Sequence, residues 1–588
     1  MPVLRKLSLL LALVLLTVGL PLPVASQEGS GAIFEGNVTG SQNIGALNPL
    51  LCDNPACRRV TDLLFPHLIG IDPASGVFTA TGDPRALAEG WEISADGRQV
   101  RFQLRQDLTW SDGVPITAYD VFYSYLALVS SPAISDSADP VRARVAAAIP
   151  LDSHTILFTL WQDACSALNV LDLPILPAHV YEPGFAQRVT GGFSAAQLLF
   201  SQFVWAQGES TTPLSLSRRD EFLHSPVTAG VFNFERIKPA EDIRLSRDDG
   251  QLAFALVDVP DRRTEVALFL NGDLNLIVNP PLDLRADIRA AADVQIFEYP
   301  STTWDGIALN LADPEEPQSA FDESGLPLDQ GHHPVFSDLP VRRAMQLAID
   351  VDALIEASVQ GNGTAIPANQ PPGSWAYNPD LSPVDYDPVE ARKLLEQSGW
   401  KDTNRDGIRE CWGCLYAETG DRLEFELMYS YSIPRHAIIA ELLRSQLAQV
   451  GMSVQLNDGG GDLSPYGPLR GQRFDAYLFE RVEDYPVNPD QSALFSSTND
   501  RVGDGWNVGS YVNSDVDRLL TEARALPGCP IAERAEIYRE VQTLLQTDQP
   551  YIWLFAPNEM IAARGGVLGF DPYPYAPFWN ISEWRVIR

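Results

Sequence analysis

The sequence predicts an α/β protein of two or more domains, on three observations. About 560 residues follow a leader segment, more than a single hydrophobic core accommodates. Strand and turn signals fill the first third of the chain, and helical periodicity recurs after it. Further on, "AIIAELLRSQLAQVGMSVQL" runs from a helix through Gly451 into a strand, the step from which α/β layers are built.

The elements follow in order. Arg5 and Lys6, an apolar run from Leu7 to Leu20, Pro21, Pro23 and "VAS" have the layout of a signal peptide over residues 1–26, cleaved near Ser26–Gln27. The apolar run is too short to cross a bilayer. The first cysteine is Cys52, so no lipoprotein cysteine stands at the cleavage site, and no later segment reads as a membrane span. An exported protein, periplasmic or extracellular, is expected. "GWEISADGRQVRFQLR" reads as a hairpin turning at Asp96-Gly97, with Val100, Phe102 and Leu104 inward. "WSDG" turns the chain again at Gly113. Thr117 and Asp120 then form a capping box ahead of a helix whose apolar face is Val121, Phe122, Tyr125, Leu128 and Val129. "PVRRAMQLAIDVDALIEAS" reads as one helix. "YDPVEARKLLEQSGW" is a helix capped by Asp387, with Pro388 at its first position, Glu390 closing the box and Gly399 at its end. "FDAYLF" is a buried strand.

Formal charge is −35, or −37 without Arg5 and Lys6, and Lys6, Lys238, Lys393 and Lys401 are the only lysines. Such a surface repels nucleic acid and anionic membranes, which excludes both as partners. Six cysteines in an exported chain predict disulfides. Cys52 and Cys57 flank a proline turn, Cys411 and Cys414 ("CWGC") are spaced for a local bond, and Cys165 and Cys529 are left to pair or stay free. A zinc site built on Cys411 and Cys414 needs two further converging thiolates.

Few stretches carry reactive chemistry. There is no G-x-S-x-G elbow and no H-E-x-x-H pair. With 77 acids in the chain, composition says nothing for or against a glycosidase pair. "DTNRDG" copies the first half of a calcium loop through Asp402, Asn404 and Asp406, but Gly413 stands where the bidentate Glu belongs, so no metal is expected there. His332 and His333 are read as a solvent-facing pair rather than nickel ligands. Asn37, Asn362 and Asn580 open glycosylation sequons.

"LNPLLC", "LAEGWEISADGRQVRFQLRQDLTWSDGVPITAYDV", "ILPAHVYE", "SPVTAGVFNFERI", "FSDLPVRRAMQLAID", "DPVEARKLLEQSGW" and "FDAYLF" occur in the order seen in one family. By these motifs the chain resembles family 5 extracellular solute-binding proteins, the peptide, nickel and oligosaccharide type that serves ABC importers. The resemblance implies a hinged, two-lobed periplasmic-binding-protein fold. Lobe I spans 27–300 with an inserted subdomain at roughly 72–180, lobe II spans 301–555, and 556–588 return to lobe I. The chain is expected to leave lobe I near 298–310 and to return near 551–559. The resemblance also implies a binding protein with no catalytic residue and no cofactor, a monomer that captures a peptide-like or other medium-sized polar solute for permease subunits.

In peptide-binding members a strand "FD" leads, after five residues, to a Trp and then, after two more, to "DY", whose Asp meets the ligand's ammonium group. Here "FDAYLFERVEDY" keeps the spacing with Asp484 and Tyr485, but Arg481 stands at the Trp position. Asp484 therefore becomes the expected amine ligand, Arg481 a group that would face an anion, and Glu483 a residue pointing away. Tyr429, Tyr431, Tyr485, Trp375 and Trp506, in segments of loop-like composition, are candidates to line the pocket. Two other readings stay open: the same fold feeding a membrane sensor, and a secreted hydrolase.

Overall fold

A computed structural model describes residues 31–40, 47–52, 54–130, 141–161, 165, 168–191, 226–483, 487–574 and 576–587. The expected signal peptide lies outside the described residues. One twelve-stranded sheet organises the molecule. Its first half is built on parallel pairing of Gly31–Asn37 with Leu252–Asp258, in register Gly31 to Leu252, and with Leu276–Val278. An antiparallel meander through Asp242–Ser246 to Asn233–Lys238 extends it. In the second half Glu424–Tyr429 lies parallel to both Ser453–Asn457 and Ala476–Arg481, and Trp304–Leu309 runs antiparallel to Ala476–Arg481.

The strand Tyr551–Arg564 belongs to both halves. Tyr551 to Phe555 pair with Trp304–Leu309 across a bulge at Asp305/Gly306, while Asn558 to Arg564 pair with Val294–Pro300. Its last residues also pair with Leu276–Val278, and its middle with Gly363–Ala365. The backbone thus passes from one half to the other twice, at 301–303 and at 556–558.

Apolar side chains bury both faces of each half. In the first, Val266, Phe269, Ile277, Ile288 and Met560 fill one face. The other face merges with the core of a four-stranded antiparallel sheet made of Ala88–Ile93, Gln99–Leu104, Thr155–Leu160 and Val145–Pro150. In the second half, helices Leu339–Leu347, Val351–Val359, Pro388–Gln397 and Pro434–Ala448 cover one face. Helices Ser514–Ala525 and Ile531–Asp548 cover the other.

Local signals account for the motif-rich corner. Gly97 and Gly113 take positive φ at their turns, and Val100, Phe102 and Leu104 are buried. The Asp120 carboxylate accepts the Thr117 N–H and hydroxyl and also the Ala178 N–H, while Ser124 Oγ accepts the Leu176 N–H. Burial raises the Asp120 pKa despite those bonds. Two separate motifs, "TAYD" and "ILPAHV", are therefore tied by one buried acid: the corner is scaffold.

Several expectations fail for identifiable reasons. The helix Ala118–Ser130 is not one-faced, since Tyr123, Ser124, Leu126 and Ala127 are buried as well, enclosed between sheet and neighbouring helices. "PVRRAMQLAIDVDALIEAS" forms two helices, because Asp350 leaves helical geometry and caps the second through the Ala353 N–H. Glu390 does not close a box: it pairs with Lys393, and the Asp387 N–H goes to Leu347 O instead. His333 is buried rather than solvent-facing. Its Nδ1 accepts the Val335 and Phe336 N–H groups, which leaves Nε2 to donate to Asp475. His332 is exposed as expected, its ring tilted against Tyr416 at 4.2 Å between centroids. The sequon side chains of Asn37, Asn362 and Asn580 are all buried and hydrogen-bonded within the fold, out of reach of a glycan.

Candidate functional site

Parallel strands present their following loops at their carboxyl ends, where open α/β sheets place ligands. A cavity of about 490 Å³ lies where such ends from both halves meet the crossing segments. Asn279 and Arg285, just after Leu276–Val278, line it from the first half. Arg435, after Glu424–Tyr429, and Glu480, near the end of Ala476–Arg481, line it from the second. Ser301, Thr303, Asn558 and Glu559 form the part between.

The charges of this cavity are held by buried partners. Asp305, wholly buried, accepts Arg435 Nε at 2.7 Å and Nη2 at 2.8 Å, and His436 Nε2 lies 3.1 Å away. Arg435 Nη2 also bonds Glu480. Burial works against the Arg435 charge, but the bonds to Asp305 and Glu480 outweigh it and raise its pKa. The guanidinium is therefore a fixed cation. Arg285 donates to Pro280 O and Asn558 O, and burial lowers its pKa. Tyr299 donates to Glu559. A wall with fixed cation and anion side by side suits a ligand carrying both charges.

A second network stands beside the crossing. Thr302 Oγ1 donates to Glu483 O at 2.7 Å, Arg481 Nε donates to Glu483 Oε1 at 2.7 Å, and Gln491 Nε2 donates to the same oxygen. Gln491 in turn exchanges hydrogen bonds with Asn369. Glu483 thus does not point away into solvent: it is buried, because Arg481 and Gln491 satisfy its carboxylate inside. Trp375 Nε1 donates to Val487 O, so anchored residues stand on both sides of positions 484–486. Asp484 and Tyr485 themselves lie outside the described residues.

The aromatic candidates divide. Arg481 pairs with Glu483, whereas Trp375, tied to Val487, packs edge-on against Tyr538 and lines a separate crevice; neither lines the cavity of Arg435. Tyr429 is in a strand rather than a loop, half-buried against the helical core, because its position continues the alternation of Phe425 and Leu427. Tyr431, shortly before Arg435, is 76% exposed. Trp506 stacks under the Arg470 guanidinium at 4.9 Å. Its loop, tied through Gly509 to Leu309 and Leu311, lies at the end of the strand pair opposite Trp304–Arg481. Sequence reasoning missed Arg435, Asp305, Glu480 and Arg285. The signal was available in part: Asp305 interrupts the apolar strand "WDGIALN", and an acid inside such a strand needs a buried partner.

All six cysteines are paired: Cys52 with Cys57, Cys165 with Cys529, and Cys411 with Cys414. Cys411 and Cys414 are thus unavailable to zinc. At the calcium-like loop, Asp402, Asp406 and Glu410 bring carboxylate oxygens within 4.8 Å of one another. Asn404 Nδ2, however, donates to Glu410, and Arg422 pairs with Asp406.

Two half-sheets joined by two strand crossings, with a charged cavity at the junction, have the architecture of a binding receptor. The comparisons agree. The chain matches the model of bacterial extracellular solute-binding proteins, family 5, over residues 85–502, and it belongs to that family. It is similar to the oligopeptide-binding protein AppA of Bacillus subtilis, 22% identical over 92% of this chain and 89% of that one. It is also similar to heme-binding protein A of Haemophilus influenzae, 25% identical over 84% and 83%. The solved structure of HbpA2 from Haemophilus parasuis covers 95% of this chain and 100% of its own, with TM-score 0.72 and 18% identity. The fold is thus the α/β periplasmic-binding-protein fold, and the chain is a substrate-binding protein of the ABC-transporter type rather than an enzyme. No helix among the described residues is long and apolar enough to cross a membrane.

Proposed function

We propose that the protein captures a peptide-like or other medium-sized polar solute between two lobes and hands it to the membrane subunits of an ABC importer. The lobes in this reading are 27–300, carrying a subdomain at roughly 72–180, and 301–555, with 556–588 returning to the first. Closure is a rotation about the paired crossings at 301–303 and 556–558, where small dihedral changes move whole half-sheets. The observation that carries the reading is the cavity lined from both halves, where the fixed Arg435 cation is bonded to Glu480 and Glu559 lines another part of the wall. Relatives named for oligopeptides and for heme are consistent with a solute of that size. Asp484 is the proposed partner of a ligand amine, in a loop whose neighbours Glu483 and Val487 are held by Arg481, Gln491 and Trp375.

Native mass spectrometry of the purified protein, seeking a co-purified solute, is the direct test. The identified solute is expected to reduce the radius of gyration and raise the melting temperature, since it binds only the closed native state. A broad panel of peptides, oligosaccharides and metal chelates that moves neither quantity would overturn the reading.

A further inference from the structure

The Cys165–Cys529 bond joins positions 364 residues apart. Cys165 follows the strand Thr155–Leu160 of the four-stranded sheet, in the first half. Cys529 sits in the turn between helices Ser514–Ala525 and Ile531–Asp548, which pack on the second half. The bond is therefore a third covalent link between the halves, separated from the second strand crossing by the helix Ile531–Asp548.

Apolar packing between the halves among the described residues is slight there. Among the described residues, Cys529 is the sole residue between 301 and 550 in the buried apolar cluster of the first half. Beside the bond lies a crevice of about 620 Å³. Ala74, Ser75 and Val77 line it on one side, and Trp375, Ile531 and Arg539 on the other. The turn that presents Cys529 is unusual. Gly528 and Cys529 both have positive φ, at 72° and 52°, and Cys529 N–H closes the turn on Leu526 O. A non-glycine residue in that region is uncommon and persists where the surroundings impose it.

We propose that the Cys165–Cys529 disulfide is an inter-lobe clasp that sets the limit of opening. With the clasp closed, rotation about the crossings separates the lobes only as far as the Cys165–Cys529 bond allows, and release of the bond lets them open further. Exchange with a dithiol releases the clasp. The dithiol gives up two electrons and two protons and becomes a disulfide, and Cys165 and Cys529 become thiols. The proposal rests on the two-lobed reading but needs no solute for its test.

Proteolysis without reduction, followed by mass spectrometry, is expected to recover peptides containing Cys165 and Cys529 as a linked pair. Small-angle scattering of the solute-free Cys165→Ser/Cys529→Ser double variant is then expected to give a larger radius of gyration than the wild type. Hydrogen exchange is expected to quicken at 301–303 and 556–558 and to stay unchanged in the strands of each half. Where the serines unsettle the turn, wild type reduced with dithiothreitol gives the same comparison, with thiol alkylation showing which bonds have opened. Free thiols at both positions, or identical scattering with and without the bond, would overturn the clasp and leave the binding reading standing. An unclasped protein that opens yet takes up no solute would count against the binding reading alone.

Discussion

Asp500 is 1% exposed, and its carboxylate accepts Gln330 Nε2 at 2.7 Å and Gln472 Nε2 at 2.6 Å. Burial outweighs these bonds and raises its pKa from 3.8 to about 6. A folded state that holds the proton more tightly than the unfolded chain is favoured at low pH. The contribution is complete below the unfolded pKa and is lost as pH rises through about 6. At 1.36 kcal/mol for each tenfold change in proton affinity, the loss from pH 3.8 to above 6 is roughly 3 kcal/mol. Asp500→Asn mimics the protonated group and removes this loss. The new amide also finds an acceptor, because Gln472 Oε1 has no partner and the Gln472 side chain can turn it inward. Urea unfolding at a series of pH values from 4 to 8, followed by tryptophan fluorescence, isolates the effect as the difference between wild type and variant. At pH 7 to 8 the variant is expected to be more stable by up to about 3 kcal/mol, and the two are expected to converge towards pH 4. Parallel pH profiles would refute the assignment of that proton to Asp500.

Three further outcomes are expected. Glu483→Gln breaks the pair with Arg481 inside the fold and is expected to cost about 1–3 kcal/mol of stability in a melting or urea experiment, well above the cost of an ordinary surface change. Asp484→Asn is expected to leave the apo melting curve in place while weakening an amine-bearing solute by about 2–5 kcal/mol in calorimetric titration; equal affinities would remove Asp484 from the site. Loss of the Cys165–Cys529 bond frees a loop of 364 residues, for which the chain-entropy argument gives roughly 6 kcal/mol as a ceiling, so a loss of about 2–5 kcal/mol is expected in chemical unfolding of the double serine variant.

The fold was legible wherever local chemistry and global packing coincide. The Asp96-Gly97 hairpin, the Asp387 cap with Pro388, and the passage through Gly451 into Ser453–Asn457 each rest on residues adjacent in sequence, and the structure contains them all. The break at Asp350 was less visible, because Asp is tolerated inside a helix and only tertiary context selects its capping role. The family was legible from motif order. The cavity wall was not: Asp305 and Arg435 are 130 residues apart, and neither carries a local mark of its partner. Glu483 was misjudged for the same reason. An acid between Val482 and Asp484 reads as solvated until Gln491 and Arg481 are seen around it. The two local disulfides were legible from spacing, which left Cys165 and Cys529 to pair or stay free; that they meet depends on packing between segments 364 residues apart.

The shared strand Tyr551–Arg564 also orders the protein's birth. Met560 N–H bonds Asn279 Oδ1 from 281 residues further along the chain, so the first half-sheet waits for its neighbour through the synthesis of the whole second half. At about 5–20 residues per second, that interval is roughly 15–55 s. During it, Leu276–Val278, Val294–Pro300 and Trp304–Leu309 all lack Tyr551–Arg564 as a neighbour on one edge, and unpaired edges are templates for aggregation. A chain interrupted before Tyr551 leaves two unfinished sheets rather than one finished domain and a stump. Fragments ending before Tyr551 are therefore expected to aggregate more readily than the full chain.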